Sequence, residues 1–283
     1  MTDIQNENKK IELEIYYNGE YYLLKTQDKR YFYITSEDYV HLKVFLKDQN
    51  RISLNKEELN ILESKTTKRI KMLIESLEKN DKKKKFLNSI ILLEFKNADV
   101  FFSKIYPLVA ILTRTKIFLF VTGILNLIEL VIYSRYFRIV NLNNNFRNMW
   151  TLIWIILNII IHEFAHALSV RHYGREILSA GMKLNFFVPI FFINTTDIIV
   201  CKKRERVWAS FSAIVANFSL GSITSLATLF VQPLQIKILL ISFSTISYVS
   251  ALINLIPFWK LDGYHILCDV LGIPNLDNYF KKV

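Results

Sequence analysis

Apolar residues are distributed unevenly along this chain. Up to about residue 100, charged and hydrophobic positions are mixed over short distances, and beyond it the chain carries long apolar runs. An apolar helix of about 20 residues is long enough to cross the roughly 30 Å hydrocarbon core of a bilayer. The pattern therefore predicts a small polar front, residues 1–95, followed by an α-helical membrane domain, residues 96–283.

The front has the pattern of a small α+β module. Three short segments are typical of strands: 13–17, 21–25 and 31–34. Asn18-Gly19 lies between the first two and is a hairpin turn signal. Three helices are predicted after the strands: 36–46, 54–62 and 66–79. Ser36-Glu37-Asp38 would cap the first helix, and Ser53 is the candidate N-cap of the second.

Four runs of the membrane domain are apolar enough for spanning helices: 117–133, 149–170, 207–231 and 238–256. The stretch 105–112 could extend the first one upstream. Because Lys and Arg gather on the cytoplasmic side of membranes, the Lys-rich front and the basic connection 171–206 are both expected there. Four spans would return the C-terminus to the same side.

The charge and the cysteines narrow the function classes. The net charge is +11, but no nucleic-acid motif accompanies it, and basic membrane proteins are common because anionic headgroups attract Lys and Arg. Cys201 and Cys268 have no CxxC spacing, so neither a disulfide framework nor a Cys-based zinc site is expected. The polar N-terminus has no apolar signal core, so the front should stay in the cytoplasm.

The most informative motif is His162-Glu163-Phe164-Ala165-His166, at the end of the run 149–161. On a helix, positions i and i+4 share one face, so His162 and His166 can reach a single metal ion, with Glu163 beside a water on that ion. The alternative is a pair of interfacial histidines. Ionisable groups after an apolar run are costly and favour a functional reading.

A catalytic zinc site needs a third protein ligand. From the residues alone the candidates are acids and histidines elsewhere in the chain: Glu129, His172, Asp197, Asp262, His265 and Asp269. Asp262 stands out because it follows the fourth span, after a helix-breaking Pro257 and before Gly263, which allows a close backbone approach. If spans two and four both end in the cytoplasm, their ends meet at one membrane depth.

The segment 162–166, together with Asn254-Leu-Ile-Pro and Leu261-Asp262-Gly263, resembles the site-2 protease family of intramembrane zinc metalloproteases, over roughly residues 105–272. The resemblance implies Zn²⁺ held by His162, His166 and Asp262, with Glu163 as the general base. It also implies that Asn254 helps to hold the substrate strand or the transition state. Asn217 matches a polar position of that family, and a helix–helix hydrogen bond is its alternative role.

A narrower resemblance concerns the front, whose segment 21–46 looks like the winged-helix peptide chaperone (PQQ-chaperone-like) of cofactor and ribosomal-peptide maturation. Such modules bind a leader peptide as an added strand. An unrelated α+β domain is the alternative. The aromatic segment 185–193 could be a re-entrant sheet or loop that offers an edge to the substrate, or an interfacial aromatic belt.

These features predict an intramembrane zinc metalloendopeptidase with its active site near the cytoplasmic face. Its substrate would be a ribosomally made precursor peptide or a single-pass membrane protein, in maturation or signalling, with a peptide exporter as a further partner and no nucleic acid. The rival hypothesis is a non-catalytic membrane peptide-binding or immunity factor that keeps the protease fold. A transporter is disfavoured because it leaves the spacing of the two histidines unexplained.

Overall fold

A computed structural model describes residues 11–26, 29–43, 51–54, 89–114, 120–128, 131, 145–185 and 188–273. The chain forms two compact units. The first comprises residues 1–87 with 199–203, and the second comprises 88–198 with 204–283. The domain boundary predicted after residue 95 falls at the end of a strand of the second unit, Ser89–Phe95.

The first unit contains a four-stranded antiparallel sheet and one described helix. The elements are β1 Ile11–Tyr17, β2 Tyr22–Thr26, β3 Tyr31–Ile34, α1 Ser36–Lys43 and β4 Arg51–Leu54. The strand order is β3-β2-β1-β4. The predicted hairpin turn at Asn18-Gly19 is confirmed: Gly19 has φ +93°, and the Asn18 Oδ1 accepts the Glu20 and Tyr21 N–H groups at 3.1 and 3.2 Å.

The start of α1 was predicted at the right place, but its cap is one residue earlier. The Thr35 hydroxyl accepts the Asp38 N–H, and the Asp38 carboxylate accepts the Thr35 N–H, which is a reciprocal capping arrangement. The Ser53 cap was wrong, because Ser53 lies in β4 and pairs with Glu12 of β1. Pairing with an available sheet edge outweighs the local helix signal there. The rest of helix 54–62 and the whole of 66–79 lie outside the described residues.

The second unit is mainly helical. Its helices are α2 Ala98–Arg114, α3 Asn145–His172, α4 Lys203–Ala227, α5 Leu234–Leu255 and α6 Asp262–Leu271, with a 3₁₀ turn at Thr196–Val200. Among the described residues, three helical segments are long and apolar enough to cross a membrane: Met149–His172, Lys203–Ala227 and Leu234–Leu255. They match the second, third and fourth predicted spans and indicate a membrane protein. The predicted first span lies partly outside the described residues, although 120–128 is helical.

The second unit also contains a three-stranded antiparallel sheet. It is formed by β5 Ser89–Phe95, β6 Ser179–Asn185 and β7 Val188–Asn194, with β6 in the centre. The aromatic segment 185–193 therefore contributes a strand to a sheet edge. Two ion pairs join the surrounding elements: Arg171 to Asp99 at 3.0 Å, and Arg175 to the buried Asp197 at 2.9 Å. Arg171 and Arg175 of the basic connection 171–206 thus have a structural role.

Helices α3 and α5 are joined by polar as well as apolar contacts. The Trp154 ring stacks on Phe243 with centroids 4.4 Å apart, and its Nε1 donates to the Phe243 carbonyl at 3.0 Å. The buried Asn158 donates to the Ser247 hydroxyl at 2.8 Å. Inside a membrane such hydrogen bonds stabilise helix association. They hold the middle of α3 against the middle of α5.

The turn between α5 and α6 is shaped by local sterics. Ile256 precedes Pro257 and is extended (φ −66°, ψ 119°), as a residue before proline prefers, so α5 ends there. Gly263 packs against the backbone of Leu255, and a Cβ at this position would overlap its carbonyl group. Farther along α6, Asp269 accepts a 2.6 Å hydrogen bond from the buried Arg206 of α4. The start of α6 is therefore fixed.

We predict that Gly263→Ala destabilises the protein, because the added methyl group meets backbone and either α5 or α6 must shift. Overpacking of this kind costs about 1–3 kcal/mol. The thermal unfolding midpoint in detergent should fall. Gly123→Ala is the matched control, since a Cβ there meets no atom within 4 Å. Equal midpoints for the two variants would contradict the close approach.

Candidate metal centre

Helix α3 brings the two histidines of the motif together. His162 and His166 lie one turn apart, with ring centroids 5.0 Å apart and the rings almost perpendicular. Their side chains are only 12% and 15% exposed. Buried imidazoles on one helix face that point to a common spot are arranged as metal ligands are.

Asp262 completes the cluster. Its Oδ2 lies 3.1 Å from His162 Nε2, and its Oδ1 lies 3.1 Å from His166 Nε2. Within the described residues these three side chains form a group whose ligand atoms all lie within 4.8 Å of one another. Burial alone would raise the pKa of Asp262, but the two imidazoles beside its oxygens stabilise the carboxylate and hold the pKa below its usual range.

The donor atoms fit a zinc ion. Asp262 Oδ2 is buried and has no hydrogen-bond partner of acceptable geometry, although His162 Nε2 is close. The lone pairs of this oxygen are therefore available to a metal ion. Two imidazole nitrogens and one carboxylate oxygen are a ligand set used by catalytic zinc sites, which leave the fourth position open.

A carbonyl group of α4 determines which nitrogen of His166 carries the proton. The His166 Nδ1 lies 2.9 Å from the Ala209 carbonyl oxygen. A carbonyl only accepts, so Nδ1 must carry a hydrogen, and Nε2 is the nitrogen left to bind a metal. Ala209 and Ala213 are buried, and such small residues allow α4 to approach α3 closely.

Asn217 plays the corresponding role for His162. Its side-chain amide is fully buried and lies 3.1 Å from His162 Nδ1 and 3.1 Å from the Ser250 hydroxyl. The NH₂ group of the amide faces the histidine, and its Oδ1 has no hydrogen-bond partner. A histidine that ligates through Nε2 must donate from Nδ1, so the amide turned by 180° is the orientation that fits a metal.

Glu163 is tied to the sheet. Its Oε2 accepts a hydrogen bond from the Ile193 N–H of β7 at 3.2 Å. Since β7 is an edge strand, this N–H faces away from β6 and toward α3. The Glu163 carboxylate is thereby held beside the three candidate metal ligands, next to a sheet edge.

The other candidate ligands lie elsewhere or have other partners. His172 Nδ1 lies 2.9 Å from the Tyr106 hydroxyl, Asp197 pairs with Arg175, and Asp269 pairs with Arg206. His265 is exposed and is not part of the cluster, and Glu129 lies outside the described residues. Of the candidate third ligands that the structure describes, Asp262 is the one that lies beside the two histidines.

Asn254 is near the turn, but its side chain is engaged within its own helix. Its Nδ2 donates to the Ser250 carbonyl at 3.0 Å, and its backbone carbonyl oxygen would lie 3.0 Å from a Cβ at Gly263. The catalytic role implied for Asn254 therefore stays a prediction.

Comparison with known proteins gives one curated relative. Over 169 residues the chain is 28% identical to YydH of Bacillus subtilis (strain 168), whose name describes it as a candidate peptide zinc metalloprotease. The match covers 56% of this chain and 64% of YydH, so the chain spans less than two thirds of that relative. No family model and no solved structure matches the chain. The similarity supports the metalloprotease class, and the narrower winged-helix subgroup stays a prediction.

We predict that Asn217→Leu lowers zinc affinity about 10- to 100-fold, the usual cost of losing a partner that orients a ligand. Asn217→Asp should keep the affinity at or above that of the wild type, because a carboxylate still accepts from His162 Nδ1. Competition with a chelator measures the dissociation constant. Ser250→Ala is the control, since it removes only the other partner of the amide. An unchanged affinity in a folded Asn217→Leu variant would refute the assignment.

Proposed function

We propose that this protein is a membrane-embedded zinc metalloprotease that hydrolyses a peptide bond. The observation that carries the proposal is the convergence of His162, His166 and Asp262, with Glu163 held beside them. Three helical segments long and apolar enough to cross a membrane support a membrane-embedded protein. The similarity to a relative named as a peptide zinc metalloprotease candidate supports the same reaction and points to a peptide substrate.

Each residue has a distinct task in this reaction. His162, His166 and Asp262 would hold the ion, as three protein ligands do in catalytic zinc sites. A zinc ion held by them would supply Lewis-acid chemistry, because it would lower the pKa of a bound water to about 7 and polarise a peptide carbonyl group. Glu163 would take the proton from the attacking water and give it to the leaving amine.

The sheet supplies a place for an extended substrate. A peptide must leave its helical hydrogen bonds before a carbonyl can be attacked, and an extended peptide can pair with an exposed strand edge. Strand β7 is an edge strand of the three-stranded sheet, and its Ile193 N–H contacts Glu163. A substrate strand along β7 would therefore run past the general base.

The substrate class is proposed from the first unit. Its sheet ends at β3 on one side and β4 on the other, and α1 packs its buried Leu42 and Asp38 inward. A leader peptide could add to an edge of this sheet, as in peptide-recognition modules. We therefore favour a ribosomally made precursor peptide over a single-pass membrane protein, with a cytoplasmic first unit, cleavage near the cytoplasmic face and a peptide exporter as a further partner.

We predict that Glu163→Gln reduces peptide hydrolysis about 10²- to 10⁴-fold, the usual contribution of a general base. Zinc should stay bound, since the three ligands are unchanged. The measurement is product formation by mass spectrometry, with zinc per chain determined on the same sample.

Glu176→Gln is the matched control, because Glu176 is exposed and lies outside the cluster. Full hydrolysis by a zinc-loaded Glu163→Gln variant would overturn the mechanism. A wild-type protein that binds peptides but cleaves none would instead support the non-catalytic binding factor.

A further inference from the structure

A large apolar cavity of about 510 Å³ lies in the second unit, bordered by the three-stranded sheet, α2 and α3. Six phenylalanine residues line it: Phe95, Phe101, Phe102, Phe164, Phe191 and Phe192. Among the described lining residues, Asn97 and Glu163 are the polar exceptions. A volume of this size lies within the range of pockets that bury small ligands.

The cavity shares a wall with the candidate catalytic group. Glu163 lines it, and so does Ile193, whose N–H donates to the Glu163 carboxylate. The cavity therefore borders the residue that would activate the attacking water. A peptide bond attacked with the help of Glu163 would lie next to this space.

We infer that the cavity is the specificity subsite of the enzyme and that it takes a large apolar side chain, with aromatic ones preferred, directly beside the scissile bond. This inference rests on the proposed proteolytic function. It adds the chemical class of residue at which the protein cuts.

The lining explains the preference. The rings already present pack edge to face, with centroids 5.0 Å apart for Phe102 and Phe164 and 5.2 Å apart for Phe101 and Phe102. An aromatic side chain can continue this packing with its edge or its face. A polar side chain would lose its hydration and find few partners in the wall. Small side chains would leave much of the cavity unfilled.

The test uses the full-length, zinc-loaded protein in detergent and a synthetic library of randomised peptides. Cleaved bonds are identified by mass spectrometry. The best-cleaved sequence is then resynthesised with Gly, Ala, Leu, Phe, Trp, Lys or Asp on each side of the bond. On one side, kcat/KM should be about 10- to 100-fold higher for Phe than for Ala, in line with the apolar surface buried. Lys and Asp should be cleaved no faster than Ala.

A cavity-filling variant gives a second readout. Ala180→Phe adds a ring to the cavity wall, and it should lower kcat/KM more for the Phe and Trp peptides than for the Ala peptide. Ala227→Phe, at the end of α4 and away from the cavity, is the control and should change neither. The peptide series on the wild-type protein does not depend on whether the variant folds.

The possible outcomes separate the two claims. A flat profile on both sides of the bond, or a preference for Lys through the Glu163 carboxylate, overturns the subsite and leaves the protease intact. Failure of the zinc-loaded wild type to cleave any library member overturns the proposed function and this inference together.

Discussion

The structure depends on one convergence: a carboxylate from the start of α6 lies between two imidazoles of α3, which is far away in the sequence. Nearby contacts serve to hold that carboxylate in place. Pro257 ends α5, Gly263 lets α6 begin against the backbone of α5, and the Arg206–Asp269 pair anchors α6 to α4. A buried, paired carboxylate costs desolvation energy, and a bound cation would offset that cost.

Helix α4 serves the cluster without contributing a ligand. The Ala209 carbonyl group contacts His166 Nδ1, and the Asn217 amide contacts His162 Nδ1, so both imidazoles are oriented from the same helix. Small residues such as Ala213 allow the close approach that these contacts require. On the opposite side, β7 holds Glu163. The cluster is therefore surrounded by partners that orient its side chains.

Much of this was predictable from the sequence because the signals were local. The spacing of His162 and His166 follows from helix periodicity, Gly19 marks a turn, and apolar run length predicts spans. The N-cap predicted at Ser53 was wrong because β4 forms by pairing with β1, and a local sequence pattern does not show such pairing. The Ala209 carbonyl and the Ile193 N–H were missed because backbone groups have no residue-type signature. Asp262 could be assigned as the third ligand only through the family resemblance, since five other residues could also ligate a metal.

The most direct test of the account is zinc content per chain, measured on the wild-type protein and on Asp262→Ala after purification in detergent. We expect about one zinc ion per wild-type chain, consistent with a three-ligand site. Asp262→Ala should lose most of its zinc, and His265→Ala should keep all of it, because His265 lies outside the cluster. Equal zinc in wild type and Asp262→Ala, or zinc loss only in His265→Ala, would contradict the central claim that Asp262 completes the site.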